Sequence, residues 1–153
     1  MPTGKIALTT AELVIVGLEA DTKEAATRLL AERMVATGRV TEIEGYLEDV
    51  RLREGQMNTG LPGGIGIPHA RSAFVTHPTV AIGTSTRGVD FGAHDGPAHL
   101  IFLIGAPEGS DDAHLHILAA LARKIVHEDF RQMLRDADSP KVIADIIKKE
   151  VTL

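Results

Sequence analysis

The sequence contains no cysteine and no tryptophan, and only four phenylalanines and one tyrosine. Without cysteine, the chain has no disulfide scaffold, no thiolate nucleophile and no cysteine-ligated zinc or iron–sulfur site. The scarcity of aromatic side chains removes the stacking platforms on which single-stranded nucleic acids bind. The core must therefore be built from alanine, valine, leucine and isoleucine.

An excess of basic charge and long apolar runs are also missing. The chain carries 16 Lys and Arg against 21 Asp and Glu, a formal net charge of -5. This balance argues against nucleic acid as a partner, because binding to phosphate backbones requires a basic surface. No stretch reaches the roughly 20 apolar residues that span a bilayer, and residues 1–10 do not resemble a signal peptide. We therefore expect a cytoplasmic protein that does not insert into a membrane.

The length and the pattern of apolar residues predict the fold class. A chain of 153 residues fits one domain with a substantial core. Helical spacing of apolar residues alternates with β-branched runs, and this order predicts a layered α/β domain. Helices are expected to begin after Thr22, after Thr41 (this one ending near Arg53), at Ser110 or Asp111, near 129 and at Pro140. Strands are expected over 80–85 and 98–104. Residues 12–20 are either a strand or the end of a helix.

Two features of the predicted strands bear on the topology. Residues 98–104 are apolar almost throughout, which is typical of a central strand buried on both faces. The turn-rich segments 87–90 and 94–97 are expected to separate this strand from 80–85. In the helix after 110, we expect Leu115, Leu118, Ala119, Ala122 and Ile125 to share the buried face.

His69 is the most informative of the seven histidines. It follows a glycine-rich loop over 55–66, and Pro68 fixes the backbone immediately before it. Glycines 63, 64 and 66 lack a Cβ, so they allow another molecule's atoms to approach the backbone closely. The pattern predicts a histidine displayed at the end of a strand to a docking partner. The simpler interpretation is a turn followed by an ordinary surface histidine.

Two further candidates are less specific on pattern alone. His114 and His116 are two positions apart on a predicted helix, so they do not face each other and cannot chelate a metal as an i, i+4 pair would. Each is interpreted first as a solvated helix residue, although one of them could face His69. Arg53 is interpreted first as a cation at a helix C-terminus, and second as a phosphate ligand.

These residues carry a family resemblance. Segments 53–60 (REGQMNTG) and 64–70 (GIGIPHA) closely resemble the R-E-x-x-x-S/T-T-G and G-I-A-I-P-H-G/A signature of fructose/mannitol-type EIIA domains of the bacterial phosphotransferase system. Segment 114–122 (HLHILAALA) is similar to the family's H-L-x-x-L-A-x-L-A helix. The resemblance covers essentially the whole chain. Its departures are Asn58 where Ser is usual, Gly66 where Ala is usual, and Leu61-Pro62 in the loop.

The resemblance implies a fold and a function. It implies a single three-layer domain over 1–153, with a mixed β-sheet flanked by helices. In this family the residue matching His69 accepts a phosphoryl group from phospho-HPr and passes it to an EIIB partner during sugar uptake. His114 matches the second active-site histidine and Arg53 the site arginine, and Asn58 and Thr59 are expected to donate hydrogen bonds to the phosphoryl group. No metal and no cofactor is implied.

The same resemblance leaves a second function open. The family includes a nitrogen-type regulatory branch, whose members bind and control target proteins according to their phosphorylation state. A histidine-rich metal hydrolase is a third alternative, but the sequence lacks an H-x-x-x-H or H-E-x-x-H pair. A ring of apolar residues around His69, formed by Leu61, Ile67, Phe74, Val75 and Phe91, is expected to receive the partners.

Overall fold

The computed structural model describes residues 7–109 and 113–151, except for the side chains of 113–115. In this part of the chain, helices cover both faces of a six-stranded mixed sheet. This confirms the predicted α/β architecture. The elements are β1 (Val14–Ile15), α1 (Lys23–Ala36), α2 (Ile43–Gln56), β2 (Gly60–Leu61), β3 (Ile65–Gly66), β4 (His69–Ser72), β5 (Thr79–Val89), β6 (Ala98–Pro107), α3 (Ala113–Ile125), α4 (Glu128–Asp136) and α5 (Pro140–Glu150).

The sheet is organised around β6. The strand order is β1-β5-β6-β3-β2, and β4 also pairs with β6. Strand β5 is antiparallel to β6, whereas β3 and β4 run parallel to β6 along its other edge. As predicted for an apolar central strand, β6 is buried on both faces. One of its faces packs against the core of α1 and α2, and the other against the core of α3, α4 and α5.

A break in pairing separates β3 from β4. Ile65 lies beside Leu100 of β6, and His69 lies beside Ile104. Between them, Pro68 cannot donate a backbone hydrogen bond, but its carbonyl accepts one from Ile104 N at 3.0 Å. The proline therefore interrupts the edge of the sheet at the residue before His69 while keeping the chain attached to β6.

Local signals explain where the helices begin. Thr22 Oγ1 accepts a hydrogen bond from Ala25 N at 3.1 Å, and Ser139 Oγ accepts one from Val142 N at 3.3 Å, with Pro140 at the first helical position. The second helix begins after Thr41, as expected. Glu42 caps α2, because its carboxylate accepts the N–H groups of the first turn and its charge suits the positive end of the helix.

Three elements differ from the sequence expectation. Helix α2 continues through Gly55 to Gln56, because the space around Gly55 is open and nothing stops the helix there. Strand β5 continues to Val89 through the expected turn at 87–90. A register irregularity lies between Thr84 and Val89, and Gly88 (φ +87°) donates its N–H to Ser85 Oγ.

The third difference concerns the buried face of α3. The helix buries Ile117, Ala120, Leu121 and Ile125 against the sheet, with Leu118 partly buried beside them. Ala119 and Ala122, which were expected inside, are exposed. Apolar residues surround most of this helix, so periodicity alone could not select the buried face, and the larger branched residues pack in the core.

Within the described ranges, no helix is long and apolar enough to cross a membrane.

Candidate active site

His69 opens β4 on the face of the sheet that α3 covers. Side chains alternate along a strand, and Ala70 and Ser72 point to the opposite layer. Ala70 packs in the core of α1 and α2, and Ser72 Oγ donates to Asp49 Oδ2 of α2 at 2.6 Å. His69 is only 8% exposed. The prediction of a surface-displayed side chain is therefore wrong in degree, because most of the residue is buried and Nδ1 of the ring faces the backbone oxygen of Ile67.

A single hydrogen bond sets the tautomer of His69. Its Nδ1 lies 2.8 Å from the backbone oxygen of Ile67. A carbonyl oxygen only accepts hydrogen bonds, so Nδ1 must carry the proton and donate it. In the neutral ring, Nε2 is then the unprotonated nitrogen with a free electron pair. The imidazole is thus oriented with Nε2 as its nucleophilic atom.

The surroundings of His69 favour the neutral ring. Burial is the main cause that lowers the pKa of His69 below its ordinary value, and the positive charge of Arg53 lowers it further. The hydrogen bond to Ile67 and the negative charge of Glu54 act in the opposite direction. Because the net change is downward, His69 is unprotonated on Nε2 at neutral pH and ready to act as a nucleophile.

Arg53 lies in the last turn of α2 and is half-buried. Its effect on the pKa of His69 shows that its charge acts at the imidazole. Within residues 7–109 and 113–151, its guanidinium forms no hydrogen bond and no ion pair. A guanidinium without a partner can place several N–H groups on an incoming phosphate. The structure thus brings two of the predicted site residues into one electrostatic environment.

Glu54 is a component of the site that sequence analysis missed. Its buried carboxylate accepts two hydrogen bonds from Thr59, from N at 2.9 Å and from Oγ1 at 2.6 Å. Lys23 Nζ lies 3.6 Å from the same carboxylate and also donates to Asn58 Oδ1 at 3.3 Å. An acid directly after the candidate arginine, five residues before a threonine, was the available signal for this cluster.

This cluster bears on the two predicted phosphoryl hydrogen-bond donors. The hydroxyl proton and the N–H of Thr59 already point to Glu54, so a phosphoryl oxygen would compete with that carboxylate for them. Asn58 is exposed and has its amide oxygen on Lys23, which leaves its amide N–H groups as the more accessible donors.

The glycine-rich loop makes room for side chains of this same chain. A Cβ on Gly66 would lie 2.7 Å from the ring of Phe91, and one on Gly63 would lie 2.8 Å from the guanidinium of Arg131. Gly60 approaches the backbone of residues 91–93 equally closely. The prediction that Gly63 and Gly66 admit another molecule's atoms is therefore wrong, because side chains of this chain occupy that space and fix the loop leading to His69.

The predicted apolar ring around His69 is partly wrong. Val75 and Phe91 are core residues, and Leu61, Ile67 and Phe74 are only partly exposed. Phe91 and Val75 were expected at the surface, because sequence spacing does not reveal which loop covers which face. More accessible apolar side chains lie close to Arg53 in the sequence, since Leu52 is 58% exposed and Met57 is 67% exposed.

The remaining histidines divide by position. His114 lies in the first turn of α3, the helix that covers the face of His69, and its side chain lies outside the described residues. His116 is exposed, and so are His77, His94 and His127. His99 is half-buried, with Nδ1 2.8 Å from Ser85 O. Among the described residues, no three His, Asp or Glu side chains are grouped as a metal site would require.

Fold and site together define a class of α/β proteins with a buried histidine whose pKa is lowered, and with an arginine that has no hydrogen-bond or ion-pair partner among the described residues. Such a site suits an anionic group. Comparison with known families gives the particular one. The family model described as "Phosphoenolpyruvate-dependent sugar phosphotransferase system, EIIA 2" matches residues 7–150. The chain belongs to this EIIA family of the phosphotransferase system.

Individual relatives agree with this assignment. The chain is 40% identical over 145 residues to the PTS system fructose-specific EIIA component of Haloferax volcanii, covering 94% of each protein. Its fold is similar to the nitrogen regulatory protein IIA-Ntr from Neisseria meningitidis, with a TM-score of 0.82, 27% identity, and coverage of 92% of this chain and 96% of that one. It is also similar to IIAMTL in its complex with phosphorylated IIBMTL from Escherichia coli, with a TM-score of 0.78, 26% identity, and coverage of 93% and 99%.

Proposed function

We propose that this protein is a phosphocarrier that accepts a phosphoryl group from phospho-HPr on Nε2 of His69 and passes it to an EIIB partner for fructose/mannitol-type sugar uptake. The observation that carries the proposal is the hydrogen bond from His69 Nδ1 to Ile67 O, 2.8 Å long, which leaves Nε2 as the nucleophile. In this role the chain acts as one domain, in the cytoplasm, as a phosphotransferase component.

The chemistry balances without a metal or a cofactor. The Nε2 electron pair of His69 attacks the phosphorus of the donor's phosphohistidine. The new N–P bond forms as the donor's N–P bond breaks, and the donor imidazole leaves with its electron pair. Nδ1 keeps its proton, so the phosphorylated ring gains positive character that the Ile67 carbonyl stabilises. Transfer to EIIB repeats the substitution, with a nucleophile of the acceptor attacking phosphorus.

Phosphoryl transfer of this kind passes through a loose transition state, so the protein contributes mainly position and charge. Arg53 has an unpaired guanidinium within the described chain and is proposed to offset the phosphoryl charge. His114 is proposed to hydrogen-bond the phosphoryl oxygens from the first turn of α3. Asn58 is proposed as a further donor, and Thr59 as a donor only when its proton leaves Glu54.

The names of the relatives support the choice of partner and sugar class. The relative from Haloferax volcanii is named as a fructose-specific EIIA component, and the IIAMTL structure was solved as a complex with phosphorylated IIBMTL. The exposed side chains of Leu52 and Met57, close to Arg53 in the sequence, offer an apolar contact for such partners. Interfaces of this kind are small and transient, so a few exposed apolar residues are sufficient.

The nitrogen-type regulatory function is the second candidate. The observation in its favour is the similarity to the IIA-Ntr structure, with a TM-score of 0.82. The two functions differ in the fate of the phosphoryl group. A sugar-uptake component passes the label to a fructose-type EIIB within seconds. A regulatory component keeps it in the presence of EIIB and binds a target protein in only one phosphorylation state.

Intact-mass measurement after incubation with phosphoenolpyruvate, enzyme I and HPr tests the proposal. The wild-type protein should gain one phosphoryl group, and His69→Ala should gain none. His116→Ala is the matched control, because His116 is exposed and lies on the same helix as His114. His114→Ala should still accept the group but transfer it more slowly. Phosphorylation of His69→Ala to the wild-type extent would refute the assignment.

A further inference from the structure

We propose that Glu54 is a positioning residue for phosphoryl transfer, which fixes the imidazole of His69 through Thr59 and Ile67. The inference rests on the proposed function of His69 and extends it to a buried acid that does not touch the phosphoryl group. Three consecutive links of hydrogen bonds, from Glu54 through the loop to His69, form the proposed relay.

The first link ties α2 to the start of the loop. Glu54 lies in the last turn of α2, and both oxygens of its carboxylate accept hydrogen bonds from Thr59, at 2.9 Å from N and 2.6 Å from Oγ1. Burial of a carboxylate is unfavourable unless it is paired and hydrogen-bonded. Two donors from one residue and the ammonium of Lys23 at 3.6 Å meet that requirement. Thr59 is therefore held in one orientation relative to the helix.

The second link crosses the loop. Ile67 N donates to Thr59 O at 3.1 Å, and the adjacent Gly60 N donates to Phe91 O at 3.0 Å. Because the first of these bonds joins backbone atoms, Thr59 holds the Gly66–Ile67 peptide, and through it the residue whose carbonyl faces His69. Thr59 and Ile67 are separated by the β2–β3 hairpin, so their direct contact closes the hairpin at its base.

The third link reaches the reacting ring. Ile67 O accepts the hydrogen bond from His69 Nδ1 at 2.8 Å, and this bond selects the tautomer with an unprotonated Nε2. The backbone of β4 is held independently by its pairing with β6, from His69 beside Ile104 to Ser72 beside Pro107. Loss of the Glu54–Thr59 bonds would therefore leave the strand in place and release the carbonyl that orients the ring.

A buried carboxylate with this geometry has a second effect on His69. Its negative charge raises the pKa of the imidazole, against the lowering by burial and by Arg53. Glu54→Gln removes the charge and replaces one carboxylate oxygen by an NH₂ group. That group cannot accept a hydrogen bond, so one of the two Thr59 donors loses its acceptor. The variant should then lower the pKa of His69 further and weaken the selection of the tautomer.

The test combines a spectroscopic and a kinetic measurement. Long-range ¹H–¹⁵N spectra of unphosphorylated protein should show the Nδ1–H tautomer of His69 in wild type and a mixture containing Nε2–H in Glu54→Gln. Transfer from phospho-HPr should show a kcat about tenfold to a hundredfold lower with an unchanged KM, because Glu54 is buried and misplacement of a reacting group by about 1 Å has an effect of that size. The final stoichiometry should stay at one phosphoryl group.

Two sets of controls separate positioning from a general loss of structure. Glu48→Gln removes an acid of the same helix whose carboxylate is exposed and pairs with Arg51, so it should match wild type in both measurements. Thr59→Val removes the hydroxyl bond, which is one of the two bonds of the first link, and Thr59→Ser keeps it. The valine variant should therefore lose the Nδ1–H preference and the serine variant should recover it, even if Glu54→Gln fails to fold.

A wild-type tautomer and a wild-type kcat in Glu54→Gln or Thr59→Val would overturn the inference. An equal loss in Thr59→Ser and Thr59→Val would also overturn it, because only the valine variant removes the hydroxyl bond to Glu54. Failure of the wild-type protein to accept a phosphoryl group would refute the proposed function instead. The tautomer measurement would still report on the relay in that case, so the two failures are distinguishable.

Discussion

Replacement of Gly60 by alanine should destabilise the protein and impair the site together. Gly60 opens β2, and a Cβ there would lie 2.7 Å from both Phe91 O and Ala93 N. These are backbone atoms and cannot rotate away, so the two segments must separate. Overpacking of this kind costs about 1–3 kcal/mol. The hydrogen bond from Gly60 N to Phe91 O, 3.0 Å long, would be weakened and adds about 1 kcal/mol.

The expected loss is therefore about 2–4 kcal/mol, which corresponds to a decrease in Tm of about 5–15 °C for a domain of this size. Calorimetry and urea denaturation measure it, and transfer from phospho-HPr should slow because Thr59 precedes the displaced residue. Gly55→Ala is the matched control. Its Cβ would meet open space in α2, so it should stabilise the protein by about 0.5 kcal/mol. Equal stability of Gly60→Ala and wild type would refute the packing argument.

Three further predictions concern separate parts of the molecule. The pKa of His69, measured by NMR titration, should lie below the ordinary value of about 6.5 because the ring is buried. The contribution of His69 to the free energy of unfolding should be complete above about pH 6.5 and should be lost as the pH falls through the lowered pKa of the ring. A measured pKa above about 6.5 would contradict the prediction. Tyr46→Phe should cost about 1–2 kcal/mol in urea denaturation, because the buried hydroxyl donates to Ile104 O at 2.9 Å; an unchanged midpoint would show that this bond contributes nothing. Ser139→Ala should cost about 1 kcal/mol by loss of the cap of α5, whereas Ser139→Asp should keep wild-type stability.

Elements with strong local signals were predictable from the sequence. The Ser139-Pro140 start of α5 and the Thr22 start of α1 depend on caps within one turn of the helix, and the structure confirms both. The central strand β6 was predictable because a strand buried on both faces is continuously apolar. In each case the information lies within a few neighbouring residues.

Features that depend on distant contacts were not predictable. Strand β5 continues through an expected turn because it pairs with β6 up to Val89. The glycines of the 55–66 loop were assigned to a docking partner, whereas the ring of Phe91 and the guanidinium of Arg131 occupy the space beside them. Nothing near these glycines in the sequence indicates which distant side chain packs against them.

The candidate site shows the same division. His69, Arg53 and His114 were identified by a motif, which carries residue types and spacing. The enclosure of His69 and the role of its Nδ1 depend on backbone geometry that no motif encodes. Glu54 was next to Arg53 in the quoted motif and was still missed. Its importance depends on its burial and on its two bonds to Thr59.

The position of the phosphoryl group on the ring of His69 tests the central claim most directly. The hydrogen bond between Nδ1 and Ile67 O leaves Nε2 as the only free nucleophilic atom of that ring. After phosphorylation with phosphoenolpyruvate, enzyme I and HPr, ¹⁵N and ³¹P NMR should show a single phosphohistidine, linked through Nε2 of His69, with Nδ1 still protonated. A phosphoryl group on Nδ1 of His69, or on any other residue, would contradict the account.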